Sequence, residues 1–153
     1  MTVIHKILVL GVITPKLLQV LSSLLINEVL PNPEGEKEEW AELYCSSTTS
    51  NSSSISNISS ICTIFGQIKL VDASGNSVSL PSPFRLSARQ RRVVTLRSRD
   101  GFLNNAGDTL TLLSSSHGAK DTVRGPASST HPDKANRRIA DGGGEWGWAE
   151  PTK

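Results

Sequence analysis

The chain has 153 residues, with 37% hydrophobic and 20% charged side chains and a net charge of +2. That length accommodates one hydrophobic core and argues against two, and the composition excludes fibrous and collagen-like classes. A charge of +2 is too small to imply a polyanion partner by itself, so the distribution of charge along the chain carries more weight than its sum.

Residues 1–24 differ from the rest. His5-Lys6 precedes the apolar run Ile7 to Ile13, which has the basic start and short apolar core of a minimal signal peptide, without a small-x-small cleavage site. Thr14-Pro15 reads equally as a helix start, with Leu17, Leu18, Leu21, Leu24 and Leu25 following at helical spacing. Three readings stay open: a signal sequence, an amphipathic helix docked on the domain or on a membrane surface, and an extension upstream of the true module. Lys16 interrupts the apolar stretch and argues against a spanning helix, which needs about 20 apolar residues.

From Leu25 the signals are those of short strands. Leu25 to Leu30 is an apolar run stopped by Pro31-Asn32-Pro33, because proline has no N–H for a sheet ladder. Glu34 to Lys37 forms a polar turn, and Glu39 to Cys45 alternates with Ala41 and Leu43 on one face. Residues 46–60 are almost all Ser, Thr and Asn, with too few apolar side chains to join a core, and read as an enlarged flexible loop. Ile64 to Asp72 and Ser77 to Leu80 flank the turn Ala73-Ser74-Gly75-Asn76, where glycine and asparagine accept positive φ. Phe84 to Leu86, Arg92 to Leu96, Asp108 to Leu113 and Ala119 to Val123 complete a series of turn-bounded strands. Each has one apolar face to hide, which predicts a two-layer all-β sandwich.

Several phrases in this order resemble the lamin tail domain family. They are Ile26-Asn27-Glu28-Val29-Leu30-Pro31-Asn32-Pro33, then Glu38-Glu39-Trp40-Ala41-Glu42-Leu43-Tyr44, and Leu70-Val71-Asp72 with Gly75-Asn76. Phe102 to Leu113, Gly118 to Val123, and the closing Arg138, Asp141-Gly142, Trp146-Gly147-Trp148 and Pro151-Thr152 follow. The likeness runs from residue 25 to residue 152. It departs at Gln67-Ile68, where the family has Gly-Trp, and at Ala88-Arg89 and Arg92, where it has Pro-Gly and an aromatic. Prokaryotic members commonly continue past such a Pro-Thr, so the stop at Lys153 points to a truncated reading frame. The resemblance implies an immunoglobulin-like β-sandwich spanning 25–153, preceded by the short hydrophobic or helical segment 1–24. It also implies a non-catalytic structural or interaction module of a surface or exported protein. On that reading the partner is another protein or a cell-surface component, there is no small-molecule substrate, and no cofactor or metal is expected.

Candidate chemistry is sparse. Glu28 and Glu42 could act as acid and base or as cation ligands, or could bond to backbone amides and basic groups at the sandwich edge, the simpler reading. His5, His117 and His131 lie in unrelated contexts without a second ligand or nucleophile at useful spacing, and Gly142 to Gly144 lacks the strand and helix of a phosphate loop. Asn51-Ser52-Ser53 and Asn57-Ile58-Ser59 match glycosylation sequons, as Asn/Ser-rich tracts do by chance.

Cys45 and Cys62 flank the Ser tract. In an exported chain they can close that loop as a disulfide, with a model gain of about 3 kcal/mol; otherwise they read as small buried side chains. Arg85, Arg89, Arg91, Arg92, Arg97 and Arg99 place six guanidinium groups within 15 positions. Strand periodicity puts Arg91, Arg97 and Arg99 on the face of Val93 and Thr95, with Val94 and Leu96 turned to the core. Such a stripe is either a solvated strand face or a site for nucleic acid or acidic polysaccharide. A third reading is an accessory domain severed from a larger exported enzyme. Trp146 and Trp148 read as the last edge strand closing the core.

Overall fold

The computed structural model describes residues 22–35, 38–47, 61–96, 101–116 and 118–152. Within them lie eleven strands: β1 (Ser22–Leu30), β2 (Trp40–Ser47), β3 (Ile61–Ile64), β4 (Ile68–Val71), β5 (Ser77–Leu80), β6 (Phe84–Ser87), β7 (Arg91–Thr95), β8 (Asp108–Ser114), β9 (Gly118–Gly125), β10 (Ala135–Arg138) and β11 (Trp146–Ala149). One layer is a five-stranded sheet in the order β11-β10-β1-β2-β7. The other comprises a four-stranded sheet, β5-β4-β8-β9, and the two-stranded pair β3-β6. Every described pairing is antiparallel, as expected for strands that keep one face dry.

The core forms between these layers because alternation directs one set of side chains from each strand inward. Ile26, Leu43, Cys45 and Val94 from the five-stranded sheet meet Ile68, Leu70, Leu110, Leu112, Phe84 and Leu86. The face assignment on β7 holds: Val94 and Leu96 are buried in this cluster, whereas Val93 and Thr95 are half-buried. A smaller cluster of Leu30, Trp40 and Ala135, with Val93 against it, lies apart from this core. Cys45 on β2 and Cys62 on β3 are joined as a disulfide, with Cα atoms 5.8 Å apart, and this bond links the layers covalently.

The structure corrects three sequence expectations and adds a strand, β10, that none of them foresaw. Leu24 belongs to β1, opposite Cys45, so the strand begins at Ser22 and the helical spacing of the leucines does not extend to it. Ser46 and Ser47 continue β2 and are not loop. The run Ile64 to Asp72 is broken at Phe65-Gly66-Gln67, where Gly66 takes φ +83°, so β3 pairs with β6 while β4 pairs with β5 and β8. β10, Ala-Asn-Arg-Arg, shows no apolar alternation, and a strand forms there because β1 and β11 supply ladder partners on both sides. The segment 1–21, the greater part of the Ser tract (48–60), and the residues Arg97, Arg99 and His117 lie outside the described residues.

Candidate functional site

Glu28 and Glu42 are direct cross-strand partners on β1 and β2, and two carboxylates side by side require compensation. The register slips between Ile26 and Glu28, so Asn27 is the extra residue of a β-bulge. All three side chains are buried: Asn27 is 3% exposed, Glu28 1% and Glu42 5%. They border an open polar cleft of about 230 Å³ together with Arg91, Arg137, Asp141 and Thr152.

Each carboxylate is held by residues distant in sequence. Glu28 accepts the Thr152 backbone N–H at 2.9 Å on Oε1 and the Thr152 hydroxyl on Oε2. Glu42 Oε1 accepts Asn27 Nδ2 at 3.0 Å and lies 3.6 Å from Arg91 Nε. The same Asn27 amide donates to Asp141 at 2.9 Å, while its carbonyl oxygen accepts the Gly142 N–H at 3.1 Å. Arg91 also pairs with Asp141. Asn27 therefore ties the middle of β1 to β2 and to the turn before β11. Gly142 adopts φ +70°, a conformation that favours glycine, and a Cβ there would lie in tight contact 3.3 Å from the Tyr44 ring.

A second hub lies beside the bulge. Arg138 Nε donates to the Ile26 carbonyl at 2.8 Å, another guanidinium N–H reaches the Gly143 carbonyl, and a third pairs with Asp121 at 2.9 Å. Asp121 Oδ2 in turn accepts the Ile26 N–H at 2.8 Å. The guanidinium carbon sits 4.8 Å from the centre of the Trp146 ring, a cation–π contact. Arg138 and Asp121, with side chains 9% and 14% exposed, bond β10 and β9 across the two sheets. Each group of this pair has further bonds, the condition under which a buried ion pair is tolerated.

The electrostatics follow from burial and partners. Burial pushes the Glu42 carboxyl above its usual range, with the Glu28 charge adding to the rise and the Asn27 hydrogen bond opposing it. Burial acts in the same direction on Asp141, but hydrogen bonds from Arg91 and Asn27 and the charges of Arg91 and Arg137 outweigh it, so Asp141 is held below its usual range. The hydrogen bond to Asp141 in turn pushes the Arg91 guanidinium further toward its charged form.

The arginine stripe reads differently in this setting. Arg91 is committed to Asp141 and Glu42, Arg92 lies 5.2 Å over the Phe84 ring, and Arg97 and Arg99 lie outside the described residues. Trp148 stacks on His131 with ring centres 4.5 Å apart. Among the described residues, no group of three or more His, Cys, Asp or Glu side chains is placed to hold a metal ion. Reasoning on composition and spacing missed Asn27, Asp121 and Asp141 as site residues. A buried asparagine at a bulge leaves no periodic mark in sequence, and although all three lie within the phrases that carry the resemblance, nothing there marked them as site residues. No family model, no curated protein and no solved structure matches this chain.

Proposed function

We propose that the protein is a non-catalytic interaction module of lamin-tail type, carried by a surface or exported protein. The observation that supports this most is the convergence of the phrases carrying the resemblance. Asn27 and Glu28 come from the first, Glu42 from the second, Asp121 from a later one, and Arg138, Asp141, Gly142 and Thr152 from the last. They form three hydrogen-bonded groups, Asn27 with Glu42, Asp141 and Gly142, Glu28 with Thr152, and Arg138 with Asp121, and all of these residues except Asp121 and Gly142 line the same cleft. Those bonds use the conspicuous carboxylates to fasten strands and the residues after β11, which is a structural use of acidic side chains. The Cys45–Cys62 disulfide favours an oxidising compartment, in keeping with an exported chain.

The test is a comparison of wild type with Glu42→Gln and Asn27→Ala in the full chain. The expected result is a lowered melting midpoint for Asn27→Ala, with background rates in every protein on ester, glycoside and phosphate substrates. Turnover by wild type that disappears in Glu42→Gln at unchanged fold would overturn the proposal in favour of an enzyme. Polyanion binding through Arg91, Arg97 and Arg99 is less favoured, because Arg91 already has two carboxylate partners.

A further inference from the structure

The outer face of the four-stranded sheet carries cations and hydroxyls in its paired rows. The register places Lys69 on β4 in the row of Leu113 and Ser79, Thr111 in the row of Thr122, and Arg124 on β9 in the row of Thr109. Alternation sends these side chains away from the core, opposite to Leu70, Leu110, Leu112 and Val123. Ser79, Thr122 and Arg124 are exposed, and Lys69, Thr109 and Thr111 are half-exposed.

The carboxylates nearest this sheet are bound elsewhere. Asp72 is buried and caps Asn76, Asp108 accepts the backbone N–H groups of Ala73, Asn104 and Thr109, and Asp121 is paired with Arg138. The paired rows of the face thus present two cations and several hydroxyls but no acid, whereas surface charges are ordinarily mixed in sign. Lys69 and Arg124 occupy opposite corners. They are two strand spacings apart across the sheet and two rows apart along it, a diagonal of roughly 16 Å. At the centre of that diagonal the Thr122 hydroxyl donates to Thr111 Oγ1 at 3.3 Å.

We infer that this face binds an acidic polysaccharide laid along the Lys69–Thr111–Thr122–Arg124 diagonal. The inference rests on the reading of the chain as a surface or exported interaction module and names its partner. The cations take carboxylate or sulfate groups recurring along the sugar chain, and the threonine hydroxyls exchange hydrogen bonds with sugar hydroxyls between them. Single-stranded nucleic acid is the poorer match, because the face has no aromatic side chain on which a base could stack.

The test uses the full chain against immobilised heparin, hyaluronate and duplex DNA across a salt series. Heparin and hyaluronate separate sulfate from carboxylate as the anion recognised. The expected result is retention on at least one polysaccharide, weakened tenfold or more in Lys69→Ser/Arg124→Ser, with the slope of log affinity against log salt reduced by about two. Thr111→Val/Thr122→Val should weaken binding several-fold while leaving that slope unchanged, since it removes hydroxyls and no charge. Unaltered melting midpoints verify the fold of both variants; if a double variant fails to fold, the single substitutions at the same positions are measured in its place. The inference is overturned if wild type is retained on neither polysaccharide, if Lys69→Ser/Arg124→Ser binds like wild type, or if duplex DNA binds at least as tightly as both polysaccharides. It is also overturned if Arg85→Ser, on the opposite part of that layer, abolishes retention instead. None of these outcomes touches the substrate-turnover comparison, so the module reading stands or falls separately.

Discussion

Asn27, Glu42 and Arg138 show how single side chains hold the two layers in register. Arg138 answers the Ile26 carbonyl, the Gly143 carbonyl and the Asp121 carboxylate at once, so truncating it strands a nearly buried carboxylate without its cation. Arg138→Ala is expected to cost roughly 3 kcal/mol in a urea unfolding curve, more than the loss of an exposed pair. A cost under about 1 kcal/mol would mean that water replaces the guanidinium freely.

The pH dependence has a definite sign. Burial raises the folded-state affinity of Glu42, and of Glu39, for protons above the ordinary carboxyl level of 4.5. The native state then binds more protons than the unfolded chain just above pH 4.5, and stability from these groups falls as pH rises through their folded values. Asp141 acts oppositely: its contribution is present above its unfolded value of 3.8 and is lost as pH falls further. The melting midpoint should therefore pass through a maximum in the mildly acidic range. Glu42→Gln should flatten the decline on the neutral side of that maximum while keeping the loss at low pH. A decline in Glu42→Gln as steep as in wild type would place the effect elsewhere.

At the scale of elements, the β1 bulge and the residues after β11 act together. The bulge turns Asn27 and Glu28 toward the cleft, and Thr152 supplies two donors to Glu28. Thr152→Val removes the hydroxyl donor and leaves the backbone one. With a fully buried, charged acceptor the expected loss is about 2 kcal/mol. Faster amide hydrogen exchange at Trp148 and Ala149 in that variant would locate the loss in β11, whereas uniform exchange would argue that Thr152 does not secure this edge. The short strands β5, β6 and β7 were readable within a residue or so, because each is bounded by turn residues and has one apolar face. β10 was not, since a polar strand is defined by its neighbours' ladder groups and not by its own pattern. The division of β3 from β4 was also hidden, because a single glycine in an otherwise apolar run signals a bend only once positive φ is seen.

For the whole molecule the disulfide is the simplest lever. Cys45 and Cys62 are 17 residues apart in sequence and belong to different layers, so reduction restores the freedom of the intervening chain in the unfolded state. The expected loss is about 3 kcal/mol in the loop-entropy account, visible as a lower denaturation midpoint in reductant. A midpoint unaffected by reductant would imply that the bond is absent from the protein in solution.

Composition, turn residues and strand alternation by themselves determined the all-β class, the two-layer arrangement and the inward face of β7, because those are local consequences of which side chains avoid water. The phrases that carry the resemblance singled out Glu28 and Glu42, and the positions of Cys45 and Cys62 beside the Ser tract left a bridge between them open. Tertiary structure alone decided that Arg91 faces Asp141 and Glu42, that Arg138 meets Asp121 between the sheets, and that the acid-free face lies on the four-stranded sheet. The physical reason is the same in each case. Alternation fixes which way a side chain points within its own strand, but its polar partner comes from another strand or turn, about 10 to more than 100 residues away, and only the order of strands in the sheets brings them together.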